Sequence, residues 1–453
     1  SDITIRGNLF NFSGNNPYIA TTGIFTLEPV STSTSFGQNV STSWWSWNQN
    51  SQTLSGLTFG KSGNTRNITH ETNALTVNGP VNFYGGNIYN NAALTVSGDV
   101  NFIASTLVDV NSNITKTSGS SATLTLTASS IDINADISSS SNALNLTPNA
   151  ATMNITSNLS LNGGDLRINN SSNVTFSGTF SGSGNLYQLG AGQLTLSGNN
   201  SYSGTTHIYG KYDLYSQNSL GSGQLLFYNG STLLASSGGA AKTISNNINL
   251  VSGSTTIDIS FGTSSDFNLS GTISGSGKIV LTGDVNSRWV NLSGNNTFSG
   301  GIDINSSSAP SLKPIIRISH NSALGSGTIT SYGTTNYSNI VFMGNYSISN
   351  AFVTNSSSTY LNFDTQGYTA TLSGVLSGAG TVSKAGSGTL NLSGASNNLT
   401  GDLVISAGEL ATSGSGRLAS TYAGDISNSG TLNYGSSATT TSSGVTSGSG
   451  IVK

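Results

Sequence analysis

The chain has 453 residues, with 14 Lys+Arg against 17 Asp+Glu, a formal charge of −3, 57 glycines and no cysteine. Scattered single cations give neither the basic footprint that nucleic acid needs nor a polybasic patch for a membrane surface, and the absence of cysteine removes disulfide and thiol chemistry. Charged residues are only 7%, and the polar, Gly-rich composition borders on that of disordered chains; yet hydrophobic residues reach 34% and alternate with polar ones, which predicts an all-β protein with many turns.

Residues 1–56 are the least regular part: an opening strand over Ile3 and Ile5, then a Trp-rich insertion holding Trp44, Trp45 and Trp47. From 57 to 176 short strands follow one another. Apolar pairs at i, i+2 recur as Leu75/Val77, Leu94/Val96, Leu124/Leu126, Ile131/Ile133, Leu144/Leu146, Met153/Ile155, Leu159/Leu161, Leu166/Ile168 and Val174/Phe176. Strand alternation turns both members of each pair inward and the residue between them outward. Leu124 to Leu144 is 20 residues, and Leu144 to Leu166 is 22. Two-residue Asn-Gly or Asp-Gly hairpin turns are not the rule. Short strands at a coil period, separated by Asn/Gly/Ser corners, predict a parallel β-helix in which each coil pairs with the next.

Residues 177–453 carry an internal repeat with starts at 177, 270, 373 and 443, the fourth running to the last residue. Each full copy opens on Gly-Ser-Gly or its equivalent (182–184, 275–277, 378–380). A strand and corner reading LTLSGNN, VNLSGNN or LNLSGAS follows, and then the corner at Tyr202-Ser203-Gly204, Phe298-Ser299-Gly300 or Leu399-Thr400-Gly401. These residues resemble the passenger-associated transport repeat of bacterial autotransporter passenger domains. GLTFGKSGNTRNIT, VNGPVNFYGGNI and ATLTLTASSIDINADI, within 57–155, are similar to coils of filamentous-haemagglutinin-like exoproteins. The resemblance implies a right-handed parallel β-helix, one continuous solenoid through 57–176 and 177–453. It also implies secretion to the bacterial cell surface through an outer-membrane translocator and an adhesive or structural role. The expected partners are a host or neighbouring-cell surface protein or glycan, or further copies of the chain associating end to end or side by side. The chain is expected to be an interior or distal piece of a larger exoprotein.

The chemistry-bearing residues are sparse. His70, His207 and His320 stand far apart in sequence, and no Gly-x-Ser-x-Gly elbow sits in a strand-to-helix context. Gly-Lys-Ser at 60–62 lacks both the upstream Gly and the following helix of a phosphate loop. Polysaccharide-active enzymes share the β-helix, but they need clustered carboxylates. The closest strand-spaced acids are Asp132 and Asp136, with Asp132 outward; Lys278 and Arg288 bracket Asp284, an arrangement that fits a surface ion pair as well as it fits a site. The expectation is therefore a non-enzyme with no catalytic, metal or cofactor-binding residue and no cofactor. The candidate contacts to a protein or glycan partner are aromatic: Trp44, Trp45 and Trp47 in the insertion, and Tyr202, Tyr209, Tyr212 and Tyr215 after the first repeat copy.

Overall fold

A computed structural model describes residues 1–11, 17–47, 53–215, 219–234, 241–258, 266–283, 289–306, 315–332 and 337–453. Two compact units divide the chain, Ser1–Gly223 and Gln224–Lys453. Each is a β-solenoid of short parallel strands. Among the described residues the one helical turn is a 3-10 turn at Thr42–Trp44.

Among the described residues the first unit has three long ladders, beside a short pairing of Tyr18–Ile19 with Ser46–Trp47. One stacks Ile3–Arg6, Ile24–Glu28 and Gly56–Phe59, then continues through the first halves of Val81–Asn90 and Val100–Val110 to Ala122–Thr127 and Leu144–Ala150. A second runs along the other halves of the same two long strands to Ser130–Ile133, Thr152–Ile155 and Val174–Phe176. The third is a six-stranded ladder of three-residue strands from Leu75–Val77 to Thr179–Ser181. The second unit repeats the plan, with a ten-stranded ladder from Lys242–Ile244 to Thr446–Ser447 and a six-stranded one from Tyr346–Ile348 to Ile451–Val452.

Register follows the apolar alternation. Leu75, Leu94, Ile114, Ile137, Leu159 and Phe180 are successive partners in one ladder, and all are buried. All nine apolar pairs of the sequence pattern lie in the interior. Each fully buried aliphatic side chain contributes about 1.5–3 kcal/mol, and a slip by one residue would turn the whole row outward. Aromatic rungs do the same work near the start: Phe59 meets Phe83 edge-on at 5.6 Å, and Phe83 stacks on Phe102 at 4.9 Å.

A solenoid must bend at every corner without stranding backbone carbonyls inside. Here, single polar side chains reach inward to hold them. Gln188 donates from Nε2 to Gly190 O (2.6 Å) and Gly192 O (2.9 Å). Lys116 and Lys384 do it with a charge: Lys116 Nζ donates to Ser118 O and Ser141 O, and Lys384 Nζ to Ala385 O, Gly386 O and Ala407 O. Both lysines are fully buried. Burial lowers the ammonium of each, that of Lys384 to about 8.

The repeat's glycines have two distinct causes. The first Gly of all four repeat starts, Gly182, Gly275, Gly378 and Gly448, takes φ between +101° and +113°, a region that side chains with a Cβ rarely adopt. The corner glycines instead stack in columns. A Cβ on Gly204 would strike the carbonyl of Gly184, and one on Gly424 that of Gly401.

Candidate functional site

The repeat places one asparagine identically in each of its three full copies. Asn200 Oδ1 accepts from Phe180 N (2.7 Å) in the preceding coil, and its Nδ2 donates to Ser219 O (2.7 Å) in the following one. Asn296 bridges Ile273 N (2.8 Å) and Ala323 O (2.7 Å). Asn397 bridges Leu376 N and Arg417 O, both at 2.8 Å. Each amide satisfies one donor and one acceptor of the backbone, in two different coils, from a buried position. Two residues on, Tyr202, Phe298 and Leu399 fill the interior beside it.

This geometry corrects part of the aromatic contact set. Tyr202 and Tyr212 are fully buried, so they are core residues and not partner contacts. Tyr202 stacks on Phe180 at 4.9 Å, its hydroxyl lies 2.6 Å from Thr206 Oγ1, and burial raises both phenols above their ordinary value. The signal was present in the sequence: the position of Tyr202 is Phe298 and Leu399 in the other copies, apolar every time. Trp45 is likewise core. It packs edge-on against Phe25 (5.9 Å) and Phe59 (5.7 Å), because the 3-10 turn before it swings its indole over the end of the apolar stack. Trp47 sits half-buried against Phe25 at 5.3 Å with Nε1 donating to Thr42 O, and Trp44 is half-buried between Trp45 and Phe10. Of the seven aromatic candidates, Tyr209 and Tyr215 are exposed.

What the solenoid presents outward is chiefly neutral and ladder-like. Asn101 donates to Asn82 at 2.9 Å, Asn291 to Asn268 at 2.9 Å and Asn362 to Asn339 at 3.0 Å. Two other outward columns escaped the sequence reading, because they join residues about 20 positions apart. In one, Arg167 lies over Tyr187 (4.0 Å) and Tyr187 stacks on His207 (4.2 Å), while Asp165 pairs with Arg167 at 2.7 Å. Partial burial lowers the His207 imidazole; Asp165 opposes that shift and Arg167 adds to it. In the other, Asp109 and Asp132 are register partners. Burial, and then the charge of Asp109, raises the Asp132 carboxyl. Asp136, the acid paired with Asp132 on spacing alone, instead accepts from Asn158 N at 2.9 Å.

The remaining candidates have structural partners. His70 is buried, with Nδ1 2.7 Å from Asn90 Oδ1, and His320 Nδ1 accepts from Ser322 N. The Gly-Lys-Ser stretch is a turn closed by Asn64 N donating to Lys61 O, and it leads into the strand Ile68–His70. Lys278 pairs with Asp303 at 3.0 Å; Asp284 and Arg288 lie outside the described residues. Among the described residues no group of three or more His, Asp or Glu side chains is placed to hold a metal ion.

Residues 186–210, 290–306 and 382–411 match the passenger-associated-transport-repeat family, and each matched segment contains one of the bridging asparagines and its corner glycine. No curated protein and no solved structure matches the chain. With these three repeats set in a parallel β-solenoid, the chain fits an autotransporter passenger domain.

Proposed function

We propose that this passenger domain is an adhesin: it is exported through an outer-membrane translocator, projects from the bacterial surface and holds a protein or glycan of a host or neighbouring cell by the outward faces of its coils. The passenger repeat supports secretion to the cell surface. The observation that carries the adhesive reading is the make-up of the outward columns. They are runs of carboxamides and hydroxyls at strand spacing, such as Asn82–Asn101 and Asn339–Asn362, with few charges between them. Such a face offers many weak, neutral hydrogen-bonding positions in a rigid frame, which suits cumulative attachment better than turnover of a substrate.

The test is direct. Beads coated with the purified 453-residue chain should attach to intact cells, and soluble chain should compete them off. Attachment no greater than that of beads coated with an unrelated β-solenoid would refute the reading. A polysaccharide-active enzyme is the second reading, and the Asp109–Asp132 register pair is what favours it. It requires release of sugar from a glycan that the Asp132→Asn variant leaves intact.

A further inference from the structure

The second unit holds a shallow groove of about 280 Å³ on the outward face of its ten-stranded ladder. Its floor is one column of register partners, Asn339, Asn362, Ser383 and Val404, on four successive coils. Along that column the carboxamides of Asn339 and Asn362 give way to the shorter side chains of Ser383 and Val404, and the flanking column is small too, at Ala385 and Ser406. The face therefore dips, and Tyr360 stands as its aromatic wall, two residues before Asn362 on the same strand and the same side.

Two observations mark the dip as a place for a ligand. Ser383 is only 6% exposed and lines the groove, and its Oγ makes no hydrogen bond to a described residue. That hydroxyl opens onto the groove, with its donor and acceptor capacity available to a molecule seated there. Beside it, Asn362 uses its Nδ2 on Asn339, and no described donor reaches its Oδ1. An acceptor and a donor–acceptor thus face the same space from adjacent coils.

The chemistry of the lining selects the ligand. None of the lining residues is charged. Lys384, next in sequence to Ser383, points inward to backbone carbonyls, and the Asp364 carboxylate accepts from Gln366 N and Nε2. An anionic ligand would find no counter-charge. A peptide adding as a strand would find no free edge, because Tyr360–Asp364, Thr381–Ala385 and Leu403–Ile405 each pair on both sides. A neutral hexose has what the groove lacks: vicinal hydroxyls to bridge Ser383 Oγ and Asn362 Oδ1, and a C–H face to lie on the Tyr360 ring. We propose that this groove is a subsite for a neutral hexose of a surface polysaccharide. The proposal deepens the adhesive reading and rests on it for its biological setting.

The experiment is affinity electrophoresis of the whole chain through gels containing dextran, mannan or galactan, with heparin as the charged control. The wild-type chain should be retarded by at least one neutral polymer and not by heparin. Ser383→Val, which keeps a strand-favouring side chain and removes the hydroxyl, and Tyr360→Ala, which removes the wall, should each weaken retardation about tenfold or more. Asn199→Ala, at an exposed loop position of the first unit, should leave it unchanged. Unfolding curves of Ser383→Val matching those of the wild type show that the loss is not one of folding. No retardation by any neutral polymer overturns the proposal, as does equal retardation of both groove variants. Beads that still attach to cells while no polymer retards the chain would remove the groove and keep the adhesive reading; polymer binding without attachment would do the reverse.

Discussion

A single asparagine per repeat copy does what a hydrogen-bonded strand pair cannot do at a corner: it ties the coil before to the coil after. Removing Asn200 takes a side-chain partner from two buried backbone groups, Phe180 N and Ser219 O. At about 1–3 kcal/mol for each such group, Asn200→Ala should destabilise the surrounding coils by about 2–6 kcal/mol. Asn199→Ala, one residue earlier and exposed, should be near neutral. Urea unfolding together with hydrogen exchange at the Phe180 amide reads both. The buried lysines make a prediction of opposite kind. Lys384 titrates at about 8 in the folded chain, against 10.5 for the ordinary group. Below pH 8 both folded and unfolded states carry the proton, and the cost of burying the ammonium is fully present. Between pH 8 and 10.5 only the folded state has lost it, so stability rises with pH across that window, by up to about 3 kcal/mol. Lys384→Gln, which keeps a donor of the type Gln188 uses at its own corner, should abolish that rise in thermal unfolding measured from pH 7 to pH 11.

At the scale of strands and corners, the glycine columns set how closely coils can approach. Gly204→Ala should cost about 1–3 kcal/mol, since the new methyl meets the rigid carbonyl of Gly184. Gly367→Ala meets nothing nearer than Ser387 Oγ at 3.8 Å, and should be neutral or slightly stabilising. Comparing the two urea midpoints separates close approach from a general intolerance of side chains at corners. It is also at this scale that the sequence was most readable. Leu144/Leu146 and Ile131/Ile133 announced their inward faces by alternation alone, and the repeat's own variation, Tyr202 to Phe298 to Leu399, carried the burial of that position. Cross-coil neighbours were not readable. Asp109 meets Asp132 only because the strand Val100–Val110 shifts register between Ala104 and Leu107, and no local pattern announces such a shift. The groove is hidden for the same reason: Asn339, Asn362, Ser383 and Val404 become one column only once the length of every intervening coil is known.

For the whole molecule, a neutral composition goes with coils held together by backbone ladders and bridging amides, and with outward columns of carboxamides and hydroxyls. Charge is nearly absent from the balance, with 14 cations against 17 anions in 453 residues, so the proposed attachment rests on neutral hydrogen bonds and ring contacts. That separates it from electrostatic sticking, which salt screens within about 10 Å at 0.1 M. The most direct test is the attachment of chain-coated beads to intact cells as salt is raised from about 0.05 to about 0.5 M. The account predicts attachment that stays constant across the range and falls on addition of soluble chain. Attachment that is absent throughout, or that disappears as salt rises, would contradict it.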